Sequence, residues 1–324
     1  MELSVQALQV ILDVTYYVVF HAVKALTFFM QRDSYLYWPF LVSYVAIALV
    51  VARGWRRFGS YFDRRLWWHK SARADYMVYF ANALLMPVLF GYLLMNEPQF
   101  PTAGTEPAGI LARVVFTLLF FIAYDFGRFA AHCLLHDVPA LWEFHKVHHS
   151  AQVLTPMTSY RAHPLELLLM AWGSVATTAL LTWIFNLVVP GTISFYSFLG
   201  LHVLLWAINL IDNLRHSPVW LSYGPRVGRW LISPAHHQLH HSYEPRHFGR
   251  NRGFTIALWD RLYGTLYVPP FQAESFRLGL GDGTEERYHG LWPMYWLPFA
   301  GVARLKSRDA KSLFDRRDNA GRAP

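Results

Sequence analysis

Long apolar blocks dictate the fold class before any single residue does. Residues 36–52, LYWPFLVSYVAIALVVA, contain no charged side chain. Residues 76–95, 108–124, 165–190 and 191–211 are similarly apolar over about 17–25 positions, the length that crosses a bilayer as a helix. Only 15% of the chain is charged, against about a quarter in soluble domains. Backbone polar groups in lipid must be satisfied within the spanning segment itself, so apolar blocks of this length predict an all-α integral membrane protein. Residues 3–30 include Asp13, His21 and Lys24, so that block either spans or lies in the interface. It has neither a basic start nor a small-residue cleavage site and is not read as a removable signal. The single cysteine, Cys133, excludes an internal disulfide and a cysteine-based zinc or iron–sulfur site.

Charge placement gives an orientation. The net charge is +8, from 29 basic and 21 acidic residues. Seven basic residues (Arg53, Arg56, Arg57, Arg64, Arg65, Lys70 and Arg73) sit between two apolar blocks, whereas residues 96–109 carry none. That asymmetry predicts a cytosolic 53–75 loop, an outer 96–109 loop and anionic lipid head groups, not nucleic acid, as the basic loop's partner. Threaded this way, two transmembrane hairpins (76–131 and 165–211) form a four-helix core, with one or two N-terminal helices beside it. Residues 132–164 and 212–290 then meet on the cytosolic face. No linker or repeat divides the chain, so residues 1–300 are expected to form one domain. The polar, mixed-charge stretch 301–324 is expected to be a disordered tail.

The histidines carry the chemistry. Eleven of the 16 lie in the two cytosolic stretches between 132 and 241. HCLLH places His132 and His136 on one helical face. HKVHH holds His145, His148 and His149, and HQLHH holds His237, His240 and His241. In a helix, positions i, i+3 and i+4 share a face while adjacent residues diverge by about 100°, so each HxxHH box can serve two metals lying side by side. One such box arises by chance roughly 0.04 times in a chain of this composition. Two of them together with HxxxH are a metal-site signal.

Together with HCLLH and HKVHH, the motifs RHSPVW, SPAHHQLHH and LWDRLYGTLY resemble the fatty acid hydroxylase/sterol desaturase superfamily of integral-membrane di-iron enzymes. The resemblance runs from about Asp125 to Tyr267, and NRGF at 251–254 departs from the pattern that often follows the last box. It implies a four-helix membrane core under a cytosolic helical cap, and O2-dependent hydroxylation or desaturation of a lipid. It also implies two iron ions held by His132, His136, His145, His148, His149, His216, His237, His240 and His241. Neutral imidazole suits iron independently of the resemblance. No HPGG heme-binding motif or nucleotide-binding glycine loop occurs, so electrons must come from a separate cytochrome b5, ferredoxin or reductase. The site would lie on the cytosolic face of a multi-pass protein, in a bacterial inner membrane or in endoplasmic reticulum.

Around the boxes, His236 is either a ligand or a partner of one, and His163 is a ligand, a partner or a helix-start residue. Asp125 and Asp212 can orient a ligand's other ring nitrogen; Asp125 can equally pair with Arg128. Arg226, Arg229, Arg246, Arg250 and Arg252 either lie in the head-group layer or bind an acidic or zwitterionic lipid head. Two other classes compete: a zinc-dependent membrane hydrolase, which needs fewer ligands and a carboxylate base, and a metal transporter, which needs polar residues at membrane depth.

Overall fold

The computed structural model describes residues 2–31, 34, 36–95, 109–189, 208 and 210–320. Residues 96–108 of the expected outer loop, nearly all of the expected span at 191–211 and His202 lie outside the described residues. Among those described there is no β-strand, only two isolated bridges, Leu231 to Ile256 and Ser242 to Leu278. The helices are α1 (Glu2–Leu26), α2 (Trp38–Ala52), α3 (Trp55–Ser60), α4 (Arg64–Trp67), α5 (Lys70–Met95), α6 (Ile110–Asp137), α7 (Pro139–His149) and α8 (Pro164–Val188). The polar half adds a one-turn helix at Gly224–Val227, then α9 (Pro234–His240), α10 (Leu258–Tyr263) and α11 (Leu291–Ala320).

Among the described residues, two helices, α6 and α8, are long and apolar enough to cross a membrane. Only 22% and 17% of their apolar windows are buried within the protein, so most of these side chains face outward, as lipid-facing surfaces do. The two pack antiparallel and very closely. A Cβ added at Gly127 would lie 2.2 Å from the Gly173 carbonyl oxygen, and one at Gly173 would lie 2.5 Å from that of Gly127. Small residues at a crossing let helix backbones approach in lipid, where no hydrophobic force drives them together. Thr177 Oγ1 donates to Ala123 O at 2.7 Å across the same crossing, and Phe116, Phe120 and Phe185 fill the space toward the far end.

The near end of this pair carries the site. Pro139 forces Val138 into an extended conformation (φ −93°, ψ 112°), ending α6 just after His132 and His136. The chain turns there and α7 begins, aiming its own histidines back at those of α6. A buried ion pair fixes the other end of α7. Arg161 Nη1 donates to Asp75 Oδ1 at 2.7 Å, and both side chains are fully buried. The same guanidinium reaches Val147 O, Ser150 Oγ and Tyr288 O, and Thr158 Oγ1 donates to Asp75 Oδ2. One arginine thus ties α5, the end of α7 and the turn before α11 together. α11 continues to Ala320 through much of the stretch whose composition predicts disorder; no proline or glycine interrupts residues 302–320.

Candidate metal centre

Nine imidazoles converge in two adjoining groups. His132, His136, His145, His149 and His240 form one, and His148, His216, His237 and His241 the other; within each group the candidate ligand atoms lie within 4.8 Å of one another. The boxes divide as helical geometry requires. His145 and His149 face one group and His148 the other; His237 and His241 face the second group and His240 the first. All nine residues named from the sequence are therefore brought together, including His216, whose position follows a membrane block and no box.

Most rings are oriented from behind. His132 Nδ1 meets Arg252 O at 2.7 Å, His148 Nδ1 meets Arg161 O at 2.9 Å and His240 Nδ1 meets Arg250 O at 2.8 Å. A carbonyl only accepts, so each of these Nδ1 atoms carries the proton and each Nε2 presents a bare lone pair. His145 Nδ1 lies 2.9 Å from Glu166 Oε1, and His216 Nδ1 lies 2.9 Å from Ser159 Oγ. The Nε2 atoms then crowd against each other. His132 to His145 is 3.1 Å, His136 to His240 is 3.2 Å and His216 to His148 is 3.3 Å. At the His132–His145 pair, where an acceptor stands behind both rings, the two Nε2 lone pairs repel at this distance unless a cation lies between them. The donor set therefore fits two metal ions, with nitrogen chemistry suited to iron.

Burial keeps these rings neutral, as ligation demands. It pushes His145 down to about 3 and His148 to about 4, and holds His149, His216, His237, His240 and His241 well below the usual histidine range, with neighbouring imidazoles adding to the effect.

The four residues expected to stand behind the ligands do other work. Asp125 accepts from Thr255 N, Ile256 N and Trp259 Nε1, each at 3.0 Å, anchoring the loop into α10. Asp212 pairs with Arg215. His163 caps α8 by accepting from Leu165 N, and its Nε2 lies 3.4 Å from Tyr295 O. His236 closes the first turn of α9 on Ser233 and meets Gly228 O; burial pushes it to about 4. None of the four side chains hydrogen-bonds a ring of the nine. Glu166, which does, was not singled out in the sequence; its only signal there is a lone acidic residue opening an apolar block.

Of the five arginines, Arg252 forms a two-pronged ion pair with Asp137, with Nη1 2.8 Å from both oxygens. Arg246 pairs with Glu274 at 3.0 Å, and Arg250 donates to Gly264 O. Arg226 and Arg229 are exposed.

Residues 117–265 match the family described as Fatty acid hydroxylase. Among curated relatives, human alkylglycerol monooxygenase is 25% identical over 194 residues, covering 54% of this chain and 37% of that protein. An ornithine lipid hydroxylase of Rhizobium tropici is 30% identical over 157 residues, covering 47% and 42%. A Δ7-sterol 5(6)-desaturase of Gibberella zeae is 30% identical over 154 residues, covering 47% and 42%. These matches span less than half the length of each relative. No solved structure matches. The two-group histidine site thus sits wholly within the 117–265 stretch that matches the fatty acid hydroxylase family.

Proposed function

We propose that this protein is a membrane-bound di-iron oxygenase that hydroxylates, or alternatively desaturates, a C–H bond of a lipid. The observation that carries this reading is the pair of buried histidine groups whose Nε2 atoms converge, with those of His132, His148 and His240 left as bare lone pairs by the carbonyls behind their rings. His132, His136, His145, His149 and His240 would hold one iron; His148, His216, His237 and His241 would hold the other. A bound iron pair supplies the electrons and open coordination that O2 needs before it can attack an unactivated C–H bond. The chain's own part is to orient and to exclude water. Arg252 O, Arg161 O, Arg250 O, Ser159 and Glu166 fix ring orientation, and burial keeps bulk water from the nitrogens. Hydroxylation inserts one oxygen atom of O2 and reduces the other to water, consuming two electrons and two protons. Desaturation removes two hydrogens for the same input. Cytochrome b5, a ferredoxin or a reductase would deliver the electrons.

The names of the relatives, a lipid monooxygenase, a lipid hydroxylase and a sterol desaturase, support a lipid substrate. The positive loop at 53–73 supports a cytosolic site under two membrane hairpins, one of them α5 with α6. A zinc hydrolase would need a free carboxylate base near the metal. Glu166 is instead engaged through Oε1 with His145, and Asp137 through both oxygens with Arg252. Comparing the lipids of cells with and without the protein tests the reading. A species gaining one oxygen or losing two hydrogens supports it; an unchanged lipid profile with iron bound refutes it.

A further inference from the structure

A cavity of about 320 Å³ opens onto one side of the metal centre, at the small end of the range for ligand pockets. Its inner wall is His136, His149, His240 and Trp142. Those three histidines all belong to the five-membered group, and no histidine of the four-membered group lines the cavity. The outer wall carries Asp137 and Arg252, the only formally charged side chains lining it, and they are bound to each other through both carboxylate oxygens. Tyr263 donates to Asp137 Oδ2 at 2.7 Å from the rim. Two exposed aromatic side chains stand at this wall: Phe248, which lines the cavity, is 68% exposed, and Tyr263, bonded to Asp137, is 54% exposed.

We infer that this cavity holds the reacting portion of a lipid against the five-histidine site, and that its self-neutralised Asp137–Arg252 wall selects an uncharged, hydroxyl-bearing head group. A cationic head would have to take Asp137 from Arg252 and leave a guanidinium only 10% exposed without its partner, and an anionic head reaching Arg252 would be pressed against the carboxylate of Asp137. A hydroxyl does neither. It donates to a carboxylate oxygen already held in place and keeps the ion pair intact. The exposed Phe248 offers an apolar surface to the rest of an alkyl chain leaving a cavity too small for a whole lipid. Of the five arginines behind the expectation of an acidic or zwitterionic head, Arg246 and Arg252 are ion-paired, and none of Arg226, Arg229 and Arg250 lines this cavity.

This inference rests on the lipid-oxygenase reading, and the experiment keeps the two separable by measuring binding apart from turnover. Iron-loaded protein in nanodiscs is titrated with two fluorescent-chain lipids that differ only in the head, glycerol or phosphoglycerol. The wild type should bind the glycerol lipid at least tenfold more tightly, and Asp137→Asn, which leaves the wall with a net positive charge, should erase or invert that ratio. Leu280→Trp fills the cavity without touching a ligand's hydrogen bonds; it should weaken both lipids about tenfold at unchanged iron content. It also keeps the test decisive if Asp137→Asn loses iron. The glycerol lipid should perturb the Mössbauer signal of one iron and leave the other. Tighter binding of the phosphoglycerol lipid by the wild type, unaltered binding in iron-replete Leu280→Trp protein, or equal perturbation of both irons overturns the inference. The expected binding without oxidation of any lipid would instead sink the oxygenase reading and leave the cavity assignment standing.

Discussion

Removing the charge from Glu166 should loosen one metal and spare the other. Glu166 is 5% exposed at the start of α8, and its Oε1 lies 2.9 Å from Nδ1 of His145, itself 2% exposed. Its second oxygen, Oε2, is buried with no hydrogen-bond partner among the described residues. In the iron-loaded site, where the cations hold Glu166 as a carboxylate, Glu166→Gln keeps the shape and an acceptor for His145 but exchanges a charge-assisted bond, worth about 1.5–3 kcal/mol, for a neutral one of about 0.5–1.5 kcal/mol. The difference of about 1–1.5 kcal/mol corresponds to roughly five- to tenfold weaker metal affinity. Glu166→Ala removes the orienting bond altogether, and loss of such a partner weakens metal binding or activity about 10–100-fold. The assay is iron retained after dialysis against a graded chelator series, with circular dichroism confirming the fold. His145 belongs to the five-histidine group, so one iron should leave early in both variants while the second follows the wild-type curve. Wild-type retention of both irons by Glu166→Ala protein would refute the positioning argument.

Acid should empty the site by a related route. The folded values of His145 (about 3) and His148 (about 4) lie below the unfolded value of about 6.5. Between those limits the unfolded chain binds protons that the folded site refuses, so the stability these rings contribute is intact above about pH 6.5 and falls as pH drops toward the folded values. Iron retention and melting temperature should therefore both decline from pH 7 to pH 5; a flat profile contradicts neutral ligation. At the α6–α8 crossing, Gly127→Val drives a side chain to within 2.2 Å of backbone. Overpacking costs about 1–3 kcal/mol even where side chains can yield, so this variant should lose folded yield by at least that measure, whereas Thr177→Val should lose only the hydrogen bond to Ala123 O. Comparable melting temperatures for the two variants would show that the crossing is looser than described.

Sequence spacing carried the inner layer of the site and little of what supports it. The divergence of His148 from His149, and of His240 from His241, follows from helical geometry alone, so the partition of each box between two groups is legible in HKVHH and HQLHH. The supporting partners are not. Three of them are backbone carbonyls, at Arg161, Arg250 and Arg252, and a carbonyl has no signature in a sequence. Glu166 stands 21 positions from His145, and Asp75 stands 86 from Arg161, so neither pairing has a local pattern to betray it. Asp125, Asp212, His163 and His236 were attractive because they lie near a histidine box along the chain. Asp212, His163 and His236 spend hydrogen bonds on the Arg215 ion pair and on helix caps, interactions that short range favours, whereas Asp125 anchors a loop 130 residues or more away. Of the membrane helices, the α6 and α8 spans follow directly from apolar length, whereas their close contact depends on Gly127 meeting Gly173, a pairing 46 residues apart that no periodicity announces.

The most direct test of the account is the metal itself. Protein purified from iron-replete cells should contain about two iron atoms per chain, as two nitrogen-donor groups require. X-ray absorption should find a first shell of nitrogen and light-atom scatterers with no sulfur. Alanine at His149 should lower the iron bound at the five-histidine group, and alanine at His241 should lower that at the four-histidine group. Iron at one atom per chain or fewer in fully folded protein, or a sulfur ligand in the first shell, would contradict the two-iron histidine site on which the proposed function stands.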